Sequence, residues 1–352
     1  MDATGSAAPR PTMRAIAARA GTSIPTVSKV LNGGTDVSEA TRRRVIEAAH
    51  ELGYRRPRRA RAVPGGHHAP DLVDVVVGHV GSSWISRVLE GAEEESAAAG
   101  TDLVLSVARP DGRWLRRITG RPSIGAILVV TEATPAELHS LTSSGIAVVA
   151  IDPGSRPPAD VGSVGSTNWD GGRIAAEHLL AQSHSSFGII GGRRSHPFSN
   201  ARIDGFLTAV RGAGASVPTE RLAFCDWDRE TARVAAVEML SVADRPTAVF
   251  ACSDVMALGV YDAAAALGLH VPDDLSVVGF DDVEESAWAT PPLTTVQQPI
   301  SEMGAAAFRM LHEAARKGRP PSEVSQRVEL ETRLVERRST AAPPARPAVR
   351  GR

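Results

Sequence analysis

Sulfur and aromatic residues are scarce in this 352-residue chain, which has two cysteines, two tyrosines, seven phenylalanines and five tryptophans. Cys225 and Cys252 show no metal-ligand spacing and cannot make a disulfide framework, so reduced, partly buried thiols of a cytoplasmic protein are expected. No run approaches the roughly 18 consecutive apolar residues of a membrane span. The opening MDATGSAAPRPT lacks the apolar core of a signal peptide, so neither membrane insertion nor export is expected. Catalytic signatures are missing too. GIIGGRR (188–194) puts glycines after a strand but has neither the G-x-G-x-x-G nor the P-loop spacing. Asp281 and Asp282 are neighbours, and on an extended chain their side chains point to opposite faces. The reading is therefore a non-enzyme without cofactor or metal.

What is present is an uneven distribution of charge. The whole chain carries a net charge of −1, yet its first 65 residues hold twelve Lys+Arg against five Asp+Glu. A compact basic module on an acidic body suits a polyanion partner. Within that module, Thr12 is a candidate N-cap for MRAIAARA (13–20), whose Met13, Ile16, Ala17 and Ala20 share one stripe, and Gly21 ends it. A second helix is predicted from Ile24 to Leu31 with Val27, Val30 and Leu31 inward. Ser38 caps a third, with Val45, Ile46, Ala49 and Leu52 as its apolar stripe. Three short helices with three residues between the first two match a helix-turn-helix. Pro25 falls at the second helical position if Ser23 is the N-cap, where a missing amide costs little.

RRPRRARAVPGGHHAP (55–70) reads as a linker, and its His67–His68 pair, with no further ligand nearby, as solvated. From Asp71 the pattern changes. Apolar runs at 72–77, 102–107, 125–130, 147–151, 187–190, 247–252 and 275–280 alternate with amphipathic stretches such as 84–99, 170–182, 201–213, 229–242 and 254–267. Buried strands separated by helices indicate parallel sheets covered on both faces. The fold class expected is an all-α helix-turn-helix head plus an α/β core of two doubly wound parallel-sheet lobes. Ligands in such folds sit beyond the carboxyl ends of the strands.

Residues 12–55, TMRAIAARAGTSIPTVSKVLNGGTDVSEATRRRVIEAAHELGYR, closely resemble the DNA-binding region of the lac-repressor/Gal-repressor family. NARIDGF (200–206), ACSDVMALG (251–259), VVGFDD (277–282) and PPLTTVQQP (291–299) continue the resemblance in the family's order and spacing. It covers about residues 12–335. It implies a flexible N-terminus (1–11), a DNA-binding domain (12–57), a hinge (58–70) and a periplasmic-binding-protein-like core (71–335). The first lobe is expected at about 71–167 plus 300–325, the second at 168–299 plus 326–335, and a disordered tail at 336–352. The function implied is a ligand-responsive repressor that binds a near-palindromic operator as a homodimer and is released by a sugar. No tetramer is expected, because the tail carries no apolar heptad repeat.

Residue by residue, the N-terminal part of the second helix reaches base edges in the major groove, which here means Ile24, Pro25, Thr26, Ser28 and Lys29. Lys29 stands where the family usually has arginine, without its bidentate fork. Pro25 and Ile24 offer only apolar contact, for example to a thymine methyl, which leaves hydrogen-bond readout to Thr26, Ser28 and Lys29. Thr12 and Ser23 suit phosphate oxygens, and Asn32 is either a phosphate contact or a C-cap. The family's hinge helix wedges the minor groove. The matching residues are Arg58, Arg59, Ala60, Arg61, Ala62 and Val63, with Val63 smaller than the usual leucine and Pro64 directly after it.

For the core, the resemblance places Arg202 and Asp281 on ligand hydrogen bonds, and Asp152, Ser166 and Ser253 at other lining positions. It makes Trp227 a stacking aromatic, with Trp84 facing it from the other lobe. His79, His196 and Phe198 fall in loops nearby. Charged groups for hydroxyls and indoles for a pyranose face favour a carbohydrate. A purine, or another small molecule acting as corepressor, is the alternative effector; a sugar-binding protein without a DNA role is the less favoured reading.

Overall fold

The structure is a computed structural model that describes residues 12–31, 37–52, 72–317 and 326–344. Asn32, the hinge residues Arg58, Arg59, Ala60, Arg61 and Val63, Pro64, the His67–His68 pair and the first eleven residues lie outside the described residues.

Three helices make the head, α1 (Met13–Ala20), α2 (Ile24–Leu31) and α3 (Glu39–Glu51). Thr12 caps α1 by accepting from the Ala15 amide at 3.3 Å, and Gly21 ends it at φ 60°, a left-handed conformation that suits glycine. Ile16, Val27 and Val45, one from each helix, are fully buried against each other. Each such side chain contributes roughly 1.5–3 kcal/mol of burial. That small core fixes the angle between α1 and α2.

The chain then alternates through β1 (Leu72–Val77), α4 (Ser83–Ala99), β2 (Asp102–Val107), α5 (Arg113–Thr119), β3 (Gly125–Val129), α6 (Pro135–Ser143), β4 (Ala147–Ile151) and β5 (Gly162–Ser166). It crosses into α7 (Asn168–Ala181), β6 (Phe187–Gly191), α8 (Pro197–Gly212), β7 (Leu222–Phe224), α9 (Arg229–Leu240), β8 (Ala248–Ala251), α10 (Asp254–Ala266), β9 (Ser276–Asp281), α11 (Glu284–Trp288) and β10 (Thr294–Gln297). It returns through α12 (Ile300–Arg316), β11 (Arg327–Leu330) and β12 (Arg333–Val335). The two sheets have the orders β11-β5-β4-β3-β1-β2 and β12-β10-β9-β8-β6-β7. Every pairing is parallel except β10 with β12. Strands buried on both faces explain the continuous Val/Ile/Ala runs, and the doubly wound expectation holds.

Two expectations need correction. Residues 326–335 do not all join the second lobe, because β11 pairs with β5 in the first sheet and only β12 pairs with β10 in the second. The third crossing falls between them, where the Thr167 and Thr332 hydroxyls meet at 3.0 Å. Nor is the stretch after 335 a disordered tail throughout. Ser339 is fully buried, donates to the Val277 carbonyl at 2.6 Å and accepts from the Thr294 amide at 2.8 Å. His184 reaches the Ala341 carbonyl at 2.8 Å. Composition misleads here, since main-chain and hydroxyl groups anchor this segment rather than apolar bulk. Residues 345–352 lie outside the described residues.

Candidate functional site

The carboxyl ends of the strands of both sheets carry the polar residues. Asp152 follows β4, Ser166 ends β5, His196 stands before α8, Trp227 follows β7, Ser253 follows β8 and Asp281 ends β9. Three of these adopt positive φ: Asp152 at 42°, Trp227 at 63° and Asp281 at 112°. Side chains with a Cβ rarely take such angles, and where they do the strain commonly marks a functional site.

Arg202, in the second turn of α8, is only 2% exposed. It donates to Asn168 Oδ1 at 2.7 Å, to the Cys252 carbonyl at 2.6 Å and to Asp281 Oδ1 at 3.3 Å, and its guanidinium lies 3.8 Å from the centre of the Phe280 ring. Gly172 makes this position possible, since a Cβ there would come within 1.9 Å of the Arg202 carbonyl as α7 and α8 pack. Gln298 links the network to the first lobe, donating to Asp281 Oδ1 at 2.6 Å and accepting from Ser166 Oγ at 2.7 Å. Burial pushes the carboxyls of both Asp152 and Asp281 up to about 6, against the pull of Arg202. Two acids therefore share one guanidinium in a region largely shielded from water.

Beside this network lies a trio of rings. His196 and Trp227 stack with centres 6.0 Å apart, and Phe198 sits 5.0 Å from His196 and 5.2 Å from Trp227. The Trp227 indole N–H donates to His196 Nδ1 at 2.9 Å. Gly192 is required for this, because a Cβ there would lie 2.1 Å from the indole ring. Contacts also run between the lobes. Arg193, which donates to Asp226 within the second lobe at 2.9 Å, reaches Glu132 of the first lobe at 2.6 Å, and Arg87 donates to the Asp282 carbonyl at 2.9 Å. The Ser83 hydroxyl donates to Glu285.

In the head, Ser23 Oγ accepts from the Thr26 amide at 3.3 Å and lies 2.8 Å from the Thr26 hydroxyl. The Val27 amide reaches the Ser23 carbonyl at 3.0 Å, so Pro25 interrupts nothing. Ile24 is 45% exposed, and Ser23, Pro25 and Lys29 are also exposed, while Thr26 and Ser28 are half-buried. An exposed, mixed apolar and basic edge at the start of the second helix is what a major-groove reader presents.

Comparison with known proteins agrees at both ends of the chain. The model "Bacterial regulatory proteins, lacI family" matches residues 12–57, and "Periplasmic binding protein-like domain" matches residues 176–340. The HTH-type transcriptional repressor PurR of Proteus mirabilis is 33% identical over 338 residues, covering 95% of this chain and 98% of that protein. The chain belongs to the lacI family. PurR of Klebsiella pneumoniae is 32% identical with the same coverage. Among solved structures, the transcriptional regulator CelR in complex with cellobiose aligns at a TM-score of 0.71 and 29% identity, over 94% of this chain and all of that one. The lac repressor dimer bound to operator and the anti-inducer ONPF aligns at 0.69 and 25%, over 95% and 100%. This lacI-family protein is a ligand-responsive transcriptional repressor, in a family of regulators rather than enzymes. No helix among its described residues is long and apolar enough to cross a membrane, and none of their His, Cys, Asp and Glu side chains form a cluster that could hold a metal.

The structure brings Arg202, Asp281, Ser166, His196, Phe198 and Trp227 into linked contacts, with Asp152 interacting electrostatically with Arg202. Trp84 stands apart from the ring trio, half-buried against the core of the first lobe. His79 is exposed in the loop after β1. Ser253 caps α10 by accepting from the Met256 amide at 3.3 Å, a structural use of its hydroxyl. Sequence reasoning gave no role to Asn168 or Gln298. Gln298 lies inside the PPLTTVQQP stretch, but only the structure shows that it ties the two lobes together. A groove of about 640 Å³ in the second lobe, lined by residues that include Tyr261, Leu269 and Trp288, contains none of these residues.

Proposed function

We propose that the cleft between the lobes binds a carbohydrate effector, and that α2 reads an operator half-site in a homodimer. The observation that carries the effector reading is the juxtaposition of the Trp227–His196–Phe198 rings with the Arg202–Asp281–Gln298 network. Ring faces cover the apolar side of a pyranose, while a guanidinium, an amide and carboxylates pair with hydroxyls. Asp152, Ser166 and Ser253 complete the lining, with Trp84 and His79 at the entrance on the first lobe. In the head, Ser23 and Thr12 sit near phosphates, and Ile24, Pro25, Thr26, Ser28 and Lys29 face base edges. Asn32 and the stretch from Arg58 to Val63 extend that interface. Lobe closure on the effector alters the spacing of the paired heads, so effector and operator affinities are coupled reciprocally. The sugar weakens operator binding.

A purine effector is the second reading. The repressors named PurR match this chain over nearly its whole length, and a ring trio also stacks on a planar base. One experiment separates the two. Thermal shift is measured with cellobiose, ribose and other mono- and disaccharides, and in parallel with hypoxanthine and guanine, followed by gel shift on the operator. A bound effector raises the melting temperature by mass action. Stabilisation by a sugar that also releases DNA is the expected outcome. Stabilisation by a nucleobase alone, or a sugar that tightens the DNA complex, overturns the reading.

A further inference from the structure

His196 is 5% exposed, and its two ring nitrogens are treated differently. Nδ1 receives the indole N–H of Trp227 at 2.9 Å. A nitrogen that accepts a hydrogen bond carries no proton, so the proton of the neutral ring must sit on Nε2. Nε2 itself is buried without a hydrogen-bond partner, and its nearest acidic oxygen, Glu132 Oε1, is 3.7 Å away, beyond hydrogen-bond range. The ring is also held in place. Phe198 packs on it from the first turn of α8, and Trp227 stacks at an interplanar angle of 19°. With its nearest acceptor outside hydrogen-bond range, this buried donor is left unsatisfied in the protein alone.

We infer that Trp227 is a positioning residue that fixes His196 as a neutral Nε2–H donor, so that at that point the cleft favours a hydrogen-bond acceptor of the effector over a cationic amine. The inference rests on the effector cleft proposed above and sharpens it. A second proton on the ring would have to displace the indole N–H, so the site disfavours imidazolium. A cationic amine of a ligand would meet the Nε2–H head-on and be rejected. The charged groups around the ring are Arg193 from the loop after β6, Glu132 from the loop after β3 and Asp226 from the loop after β7. Burial holds the imidazole below its ordinary range and Arg193 adds to this, while Glu132 and Asp226 pull the other way. The lock depends on one atom, Trp227 Nε1.

Nitrogen-15 NMR of the full-length protein labelled at histidine tests this without any ligand, with His196→Gln assigning the signal. The wild-type ring should show the Nε2–H tautomer and keep it as pH falls through the ordinary imidazole range. Trp227→Phe keeps the aromatic stack but loses the N–H. There the signal should become a mixture of tautomers and titrate at higher pH. A purely structural role for Trp227 predicts no change in tautomer. An Nδ1–H ring in the wild type, or an unaltered ring in Trp227→Phe, overturns the inference. The fold of the variant is checked by the unchanged resonance of His184, which is buried elsewhere in the second lobe between Thr247 and Ser276. Because the measurement uses the free protein, failure of every sugar and nucleobase in the thermal-shift screen would reject the effector reading and leave the tautomer result to stand or fall by itself.

Discussion

Replacing Asp152 with asparagine should make this repressor more stable and less responsive. Asp152 is 5% exposed at φ 42°, and burial pushes its carboxyl up to about 6 from 3.8. A raised value means that the folded protein holds this proton more tightly than the unfolded chain does. The stability contributed by that proton is therefore fully present below the unfolded pKa and lost as pH rises through the folded one. At about 1.36 kcal/mol per unit, the ionised group costs up to roughly 3 kcal/mol at neutral pH. Asparagine keeps the shape, tolerates the left-handed backbone and cannot ionise. Asp152→Asn should thus gain up to roughly 3 kcal/mol at pH ~7.5, and the gain should shrink as pH is lowered and vanish near pH ~4. For a lobe of this size the shift in melting temperature is roughly 6–12 °C. Calorimetric melts of both proteins without effector, across that pH range, provide the assay. A variant no more stable at neutral pH, or a gain that does not depend on pH, refutes the reasoning. Effector response should fall in the same variant, as expected where a group strained for function is relieved.

Other perturbations report on separate parts of the molecule. Gly192→Ala should push the indole of Trp227 out of its slot and abolish effector binding while leaving the secondary structure intact, seen as changed tryptophan fluorescence with an unchanged circular dichroism spectrum. Arg202→Met leaves the Asp281 carboxylate buried without its cation and should cost about 3–5 kcal/mol in urea denaturation; the loss should shrink as pH falls and Asp281 protonates. Truncation after residue 337 removes Ser339 and Ala341 from the second lobe and should lower its melting temperature, whereas truncation after 344 should not. Operator affinity should fall steeply with salt in filter binding, and Lys29→Ala should reduce that slope if Lys29 meets a phosphate and leave it unchanged if it meets only a base.

The head was legible almost residue by residue. Thr12, Ser23 and Gly21 are local signals whose chemistry acts within one helical turn, and the helices begin and end where those caps stand. The central strands were legible because burial on both faces writes them as continuous apolar runs. GSVGS at β5 and RVEL at β11 carry no such run. They are strands because a neighbouring edge offers hydrogen bonds, which is information held in tertiary structure. The same limit applies to the site. Arg202 and Asp281 could be placed by their motifs, but the bridge through Gln298 joins residues 132 positions apart. The hydrogen bond from Trp227 to His196 depends on a loop geometry that no periodicity encodes.

The late position of α12, β11 and β12 in the chain has a consequence for synthesis. The DNA-binding region, matched through residue 57, leaves the ribosome early, but the first lobe must wait for α12 to cover α4 and for β11 to join β5. The second lobe waits for β12 and for Ser339. Domains fold as units, beginning at the N-terminus during translation. A chain interrupted between residue 224 and residue 326 would therefore carry a DNA reader and two unfinished sheets. Such a fragment could engage DNA through its head but would have no completed cleft in which to sense an effector, so responsiveness to ligand is the last property this protein acquires as it is made.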